Sequence, residues 1–227
     1  VAYVRIKNFN SNTTAGLMKA LKGMSSPRAI KGLLLDLRGD PGGLLSQAIR
    51  VSDLLLAEGA IVTTVGNAGK RRDEKLASPG DAFESLPVIV LVDQASASAS
   101  EIVAGALKYS GRGLILGERT FGKATVQELY EIADGALKLT VAQYLTPGDV
   151  LIQNVGVSPD IAMVAVRVED DENVLYAHEL DRFGEKDLPG ALEGSEGAQA
   201  DPPRVTLKYV EDPPPEEPPD DYDAVII

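Results

Sequence analysis

Alternating and continuous apolar stretches divide most of this chain into predicted strands and helices. Residues 1–7 and 60–65 alternate apolar and polar side chains with a period of two, which predicts half-buried strands. Residues 32–37 and 87–92 are almost wholly apolar, as is typical of strands buried in a parallel sheet. Helical spacing of apolar residues predicts helices that start at Thr13 or Thr14, over 44–56, and just after Ser98, and a further short strand is predicted at 114–116.

A hairpin is predicted in the second half of the chain. Two alternating runs, 126–132 and 136–145, flank Asp134-Gly135, and glycine accepts the positive φ of a tight turn. The polar stretch 67–80 is interpreted as a loop with a short edge strand. Strand–helix–strand alternation followed by a hairpin predicts an α/β domain with a mixed sheet.

Composition changes near residue 166 and suggests two parts. The core is expected to end near 157–161, so we assign 1–166 to one domain and 167–227 to a largely flexible, acidic, proline-rich extension. That extension holds 18 acidic and five basic residues and eight of the 14 prolines. Such a composition provides little apolar surface to offset the entropy lost on ordering. Residues 204–210 are predicted to form an isolated strand.

Charge and cysteine content exclude several classes of function. The net charge of −12 arises in the extension, since the first 166 residues hold 16 acids and 17 bases, and no basic nucleic-acid-binding face is predicted. No apolar run approaches the roughly 18 residues that span a bilayer. The chain has no cysteine, which excludes thiolate catalysis and cysteine zinc sites. Its one histidine, His178, lies in the acidic extension and is interpreted as a solvated surface residue.

Ser98 is the candidate nucleophile. It follows an apolar strand and begins a helix, where unpaired N–H groups could stabilise an oxyanion. Ala97 and Ala99 leave the hydroxyl accessible. Ser98 and Glu101 also fit a capping box, and a purely structural cap is the alternative interpretation.

Two further segments could complete a site. Lys123 lies in an apolar stretch without an adjacent acid, and a buried lysine that becomes neutral can serve as a base. An ordinary solvated lysine is the alternative. Gly42 and Gly43 follow a predicted buried strand and could bring backbone N–H groups close to a ligand, although a simple turn into the next helix explains them as well.

The order of these segments resembles the C-terminal processing peptidases, also called tail-specific proteases. The resemblance runs from residue 1 to about 164 and implies a mixed-sheet α/β peptidase core of the ClpP/crotonase-like kind. Arg38-Gly39-Asp40 departs from the family's usual Arg-Asn-Asn. The matching motifs are Asp36-Leu37-Arg38, Pro41-Gly42-Gly43-Leu44-Leu45, Ser96-Ala97-Ser98-Ala99-Ser100-Glu101-Ile102, Gly117-Glu118-Arg119-Thr120-Phe121-Gly122-Lys123, Val126-Gln127 and Gly156-Val157-Ser158-Pro159-Asp160-Ile161.

The resemblance implies a role for each site residue. Ser98 would be the nucleophile of a serine endopeptidase and Lys123 its general base, with Gln127 orienting the lysine. The Ala99 N–H and the N–H of either Gly42 or Gly43 would form the oxyanion hole. No metal and no cofactor are implied.

The resemblance also implies partners and a location. Substrates would be polypeptides with accessible, apolar carboxyl-terminal tails, and the expected compartment is the periplasm or cell envelope. Family members normally carry a PDZ domain ahead of this core, and this chain is expected to start after it. Two alternatives remain, an idle peptide-binding scaffold of the same fold and a crotonase-like acyl-CoA enzyme. The Ser–Lys–Gln set argues against the second, because CoA chemistry needs no serine nucleophile.

Overall fold

The computed structural model describes nine parts of the chain. They are residues 1–24, 30–66, 72–79, 83, 85–168, 175–177, 183–192, 201–210 and 224–226. His178 lies outside them. The described residues form three α-helices and twelve strands. The helices are α1 Thr13–Met24, α2 Leu45–Asp53 and α3 Ala99–Tyr109; the strands are β1 Ala2–Arg5, β2 Leu33–Asp36, β3 Ala60–Gly66, β4 Arg72–Leu76, β5 Val88–Val92, β6 Gly113–Gly117, β7 Thr125–Ile132, β8 Gly135–Leu145, β9 Ile161–Val168, β10 Leu175–Ala177, β11 Val205–Val210 and β12 Ala224–Ile226.

The larger sheet has a parallel centre, as the continuous apolar runs predict. Its order is β10-β9-β6-β5-β2-β1-β12, with β11 paired to β9 as well. Only β10 pairs antiparallel among these strands. The carboxyl ends of the adjacent strands β2 and β5 therefore meet at one edge, where α/β proteins bind their ligands.

The smaller sheet is antiparallel, with the order β4-β3-β8-β7, so the predicted mixed α/β class is confirmed. The predicted hairpin is present, but its turn differs by one residue. Ile132 pairs with Gly135, which leaves Ala133 and Asp134 as the connecting residues, while Gly135 begins β8. The edge strand expected within 67–80 is also present as β4.

Helix α3 is the most deeply buried helix described, because Ala99 to Leu107 are all shielded from solvent. Small side chains allow this burial. A Cβ at Gly105 would lie 2.4 Å from Cγ2 of Thr146, so this turn of the helix packs directly against the segment after β8. The packing connects the helix that begins at Ser98 with the smaller sheet.

The main sheet extends beyond the expected end of the core. The predicted strand at 204–210 exists as β11, but it is not isolated, since it pairs in parallel with β9 from Val205↔Ile161 to Val210↔Val166. Period-two patterning identified the strand and could not identify its partner. Strand β9 itself crosses residue 166. The division into 1–166 and 167–227 stays a prediction.

Candidate active site

Two loops at the edge formed by β2 and β5 are fastened together. Ser96 donates its hydroxyl hydrogen bond to the Leu37 carbonyl at 2.8 Å, and Gly39 N–H donates to Oδ1 of Asp93 at 3.0 Å. The Ala97 N–H and the Ser100 hydroxyl both donate to the Asp40 carbonyl, at 3.0 and 3.1 Å. The glycine loop after β2 thus lies against the turn that carries Ser98.

Gly42 is in direct contact with the beginning of α3. A Cβ at this position would lie 2.6 Å from the Ala97 carbonyl oxygen, 2.8 Å from the Ala99 nitrogen and 2.9 Å from Cβ of Ser98. Its φ of +97° is also unfavourable for any residue with a side chain. Both observations require glycine here and leave the space beside Ser98 open.

The amides of the two glycines differ in their hydrogen bonding. Gly42 N–H donates to Oδ1 of Asp40 at 2.8 Å. Within the described part of the chain, Gly43 N–H has no acceptor. Gly43 has a φ of +147°, and its backbone lies so close to Phe9 that a Cβ would be 2.2 Å from the Phe9 carbonyl oxygen.

Ser98 is half-buried and has a strained backbone. Its φ of 55° and ψ of −109° lie in a region that non-glycine residues rarely adopt, at a cost of about 1–3 kcal/mol. The Ser98 N–H donates to Oε2 of Glu101 at 2.9 Å, and its carbonyl accepts from Ile102 N–H at 3.0 Å. The Glu101 half of the predicted capping box is confirmed.

Glu101 also binds the segment that carries Lys123. The carboxylate is fully buried and accepts four hydrogen bonds. Besides Ser98 N–H, its donors are Lys123 N–H to Oε2 at 2.9 Å, Gly122 N–H to Oε1 at 2.7 Å and the Thr120 hydroxyl to Oε1 at 2.5 Å. One carboxylate oxygen therefore joins the backbones of the candidate nucleophile and the candidate base. Burial raises the pKa of Glu101 to about 7, against the lowering effect of its donors.

The Lys123 side chain is half-buried, and its backbone carbonyl accepts a short hydrogen bond from the Tyr144 hydroxyl. Gln127 lies four residues further on, at a register shift in β7, and is exposed. Its side-chain amide donates to the Thr140 hydroxyl across the hairpin at 3.5 Å. The role of Gln127 in orienting Lys123 stays a prediction, and its recorded contact leads away from the lysine.

Part of the acidic extension packs on the lysine-bearing loop. Glu185 N–H donates to the Phe121 carbonyl at 3.1 Å, and the rings of Phe121 and Phe183 lie 6.2 Å apart. The Asn154 side chain donates to the Leu192 carbonyl at 2.8 Å. Residues 183–192 therefore help to shape the surroundings of Lys123, which composition alone does not indicate.

Comparison with known proteins identifies the family. The model of "Peptidase family S41" matches residues 1–163. This chain belongs to peptidase family S41. A carboxy-terminal-processing protease of Bartonella bacilliformis is 41% identical over 203 residues, which are 86% of this chain and 45% of that protein. A chloroplastic C-terminal processing peptidase of Tetradesmus obliquus is 42% identical over 165 residues, 72% of this chain and 35% of that protein.

A solved structure supports the same relationship for the S41 chain. The photosystem II D1 C-terminal processing protease is 43% identical, with a TM-score of 0.64 over 70% of this chain and 41% of that one. The S41 chain thus spans less than half the length of these relatives. The resemblance to C-terminal processing peptidases inferred from the motifs is confirmed, and the acyl-CoA alternative is set aside.

Two searches concern other kinds of site. Among the described residues of the S41 chain, no group of three or more His, Asp or Glu side chains is arranged to hold a metal ion. None of the described helices has the length and apolar character needed to cross a membrane.

Substitution of Gly42 by alanine is expected to impair the S41 site by steric conflict. Hydrolysis should fall at least about 100-fold, because a shift of about 1 Å at a reacting centre has effects of that size. Gly59 is the matched control, since its φ of +92° is similar but no atom lies within 4 Å of its Cβ position. Gly59→Ala should lose about 1 kcal/mol of stability and keep its rate. Equal rates in the two variants would contradict this view of the Gly42 contact.

Asp40 is expected to make stability depend on pH. It is buried, and burial raises its pKa to about 6, opposed by the Gly42 N–H. Between about pH 4 and 6 the folded protein binds a proton that the unfolded chain has lost, so the stability contributed by this group falls as pH rises through about 6. Urea unfolding of wild type and Asp40→Asn should show a difference that changes by about 1–2 kcal/mol over this range. A difference that is constant with pH would contradict the prediction.

Proposed function

We propose that this S41 peptidase is a serine endopeptidase that cleaves polypeptides near apolar carboxyl-terminal tails. The observation that carries the proposal is the contact of Ser98 N–H and Lys123 N–H with the same Glu101 oxygen. This contact holds a hydroxyl on a helix tip near an amine, in a chain without cysteine whose one histidine lies in the acidic extension. A serine–lysine pair is sufficient for acyl transfer.

In the proposed first half-reaction, the neutral Lys123 amine takes the proton of the Ser98 hydroxyl, and Oγ attacks the carbonyl carbon of the scissile bond. The resulting oxyanion accepts hydrogen bonds from backbone N–H groups. The carbon–nitrogen bond then breaks, and the lysine ammonium gives its proton to the leaving amine. The product is an ester of Ser98 with the amino-terminal part of the substrate.

In the proposed second half-reaction, Lys123 takes a proton from a water molecule, whose oxygen attacks the ester. Collapse of that intermediate expels the Ser98 oxygen, which receives the proton from Lys123. Carboxylic acid and free enzyme result, and Lys123 is again neutral. A base that has to be neutral makes activity rise with pH.

We assign the oxyanion hole to the N–H groups of Ala99 and Gly43. Gly42 N–H already donates to Asp40, whereas Gly43 N–H has no acceptor within the described residues. Gly42 then serves through its missing side chain, which leaves room beside Ser98. Gln127 keeps its proposed role of orienting the lysine in the presence of substrate.

We further propose a periplasmic or cell-envelope location and a PDZ module as a partner in the whole protein. Both rest on the resemblance to C-terminal processing peptidases. The relatives' names support tail processing, and their greater length leaves room for additional domains.

The proposal is tested by treating the protein with a fluorophosphonate, with and without an added PDZ module, and by locating the adduct by mass spectrometry. We expect one adduct, on the peptide that contains Ser98. In parallel, a peptide with an apolar carboxyl terminus should be cleaved faster than the same peptide with an acidic one. Absence of an adduct under both conditions would overturn the proposal in favour of a peptide-binding scaffold.

A further inference from the structure

Tyr144 connects the nucleophile and the base from the side opposite Glu101 in hydrogen-bonding terms. It lies near the end of β8 and is 1% exposed. Its hydroxyl contacts the Ser98 carbonyl at 3.0 Å and the Lys123 carbonyl at a shorter distance. Glu101 thus accepts from the N–H groups of these two residues, and Tyr144 donates to their carbonyls.

The hydroxyl of Tyr144 is a permanent donor. Burial raises the pKa of Tyr144 well above its ordinary value, and the negative charges of Glu101 and Glu185 add to this effect. The phenol therefore stays protonated at every pH at which the protein would work. It has a single proton for two carbonyl acceptors, so the two carbonyls have to remain close together to share it.

The contact with the Ser98 carbonyl also determines the direction of a neighbouring amide. The Ser98 carbonyl and the Ala99 N–H belong to one peptide group, which is planar and trans, so the two bonds point in opposite directions. A donor that holds the carbonyl holds the N–H as well. Ile102 N–H donates to the same carbonyl and gives it a second attachment.

We propose that Tyr144 is a positioning residue that orients the Ala99 N–H towards the oxyanion and sets the position of Lys123 relative to Ser98. This inference rests on the proposed peptidase function. Phenylalanine would fill the same space in the core, so the ring alone explains packing. Only the hydroxyl reaches both segments, and it is the hydroxyl that acts on the rate.

The test compares Tyr144→Phe with Tyr3→Phe. Tyr3 is half-buried and donates its hydroxyl to Oδ2 of Asp36 at 2.6 Å, so its variant also loses one internal hydrogen bond, outside the Ser98 and Lys123 contacts. Acylation by the fluorophosphonate and kcat on a peptide are measured for both, with KM and the melting temperature. We expect a fall of about 10- to 100-fold for Tyr144→Phe, below the effect of removing an oxyanion donor entirely. KM should change less than about twofold, because the effect falls on the transition state.

A peptide aldehyde separates positioning from packing. It forms a tetrahedral adduct whose oxygen occupies the oxyanion site, so its affinity should weaken with kcat in Tyr144→Phe and stay unchanged in Tyr3→Phe. If both variants lose equal stability and neither loses rate or aldehyde affinity, the inference is overturned. A wild type that forms no adduct would instead overturn the proposed function, so the two failures are distinguishable.

A second variant covers the case in which Tyr144→Phe does not fold. Incorporation of 3-fluorotyrosine at position 144 keeps the ring and the hydroxyl but makes the hydroxyl a stronger donor. The positioning role predicts a changed acylation rate at an unchanged melting temperature. An unchanged rate would contradict it.

Discussion

Replacing Ser98 by alanine is expected to abolish fluorophosphonate capture and to lower peptide hydrolysis at least about 10⁴-fold, since the acyl-enzyme then has no oxygen on which to form. Folding should be retained, because the Glu101 contact uses the Ser98 backbone N–H and not its hydroxyl. Alanine also lacks the side chain of an alternative nucleophile. The measurements are steady-state hydrolysis and the melting temperature.

The matched control is Ser110→Ala at the other end of α3. Ser110 is exposed and donates its hydroxyl to the Ala106 carbonyl at 2.7 Å, so the variant removes a serine hydroxyl from the same helix. Its rate should equal that of wild type. Retention of hydrolysis by Ser98→Ala would show that the nucleophile lies elsewhere.

Lys123→Ala is expected to reduce the rate as strongly as Ser98→Ala, because a serine hydroxyl is a weak nucleophile until a base removes its proton. The fold should again persist, since both hydrogen bonds recorded for Lys123 come from its backbone. Lys138→Ala, on the exposed part of the hairpin, is the control for loss of one positive charge. Equal activity of the two lysine variants would contradict the assignment of the base.

Glu101→Gln is expected to affect both stability and rate. An amide nitrogen cannot accept a hydrogen bond, so at least one of the four donors around Glu101 loses its partner inside the core, at about 1–3 kcal/mol for each such group. The amide nitrogen is itself a donor and would face another donor. The free energy of unfolding should fall by about 2–4 kcal/mol and hydrolysis by about 100-fold, because the backbones of Ser98 and Lys123 are no longer joined.

Asp160→Asn is the control for Glu101→Gln. Asp160 is also buried and accepts a backbone hydrogen bond, from Ile115 N–H at 2.9 Å, but it takes no part in the Glu101 contacts. Its variant should lose stability and keep its kcat at a temperature at which both proteins are folded. A kcat that falls in proportion to stability in both variants would mean that Glu101 only supports the fold.

Several residues of the candidate site could be identified from the sequence because local patterns reveal them. Ser98 follows an apolar run and carries a capping box, and paired glycines mark the loop after β2. The strands and helices were predicted nearly in full for the same reason, since side-chain periodicity depends on neighbouring residues. Glu101 was noticed only as a cap, because a cap is a contact over three residues, whereas its bonds to residues 120–123 span about twenty.

Other features had no local signal. Tyr144 reaches Ser98 across 46 residues, and nothing near it in the chain predicts that contact. Composition suggested that residues 183–192 were part of a flexible extension, but the Phe121 contacts depend on where that segment lies in space. The hairpin turn differed from prediction by one residue, because cross-strand pairing and not the Asp-Gly pair set the register.

The order of strands and helices, the helix tip with its serine, the glycine loop and the lysine follow from the sequence by itself, since each depends on residues close together in the chain. Tertiary structure alone decided which glycine amide is left without an acceptor, which carboxylate joins Ser98 to Lys123, and which hydroxyl holds their carbonyls. These are hydrogen bonds between distant segments. Their partners depend on how sheets and helices pack together, and local patterns do not contain that information.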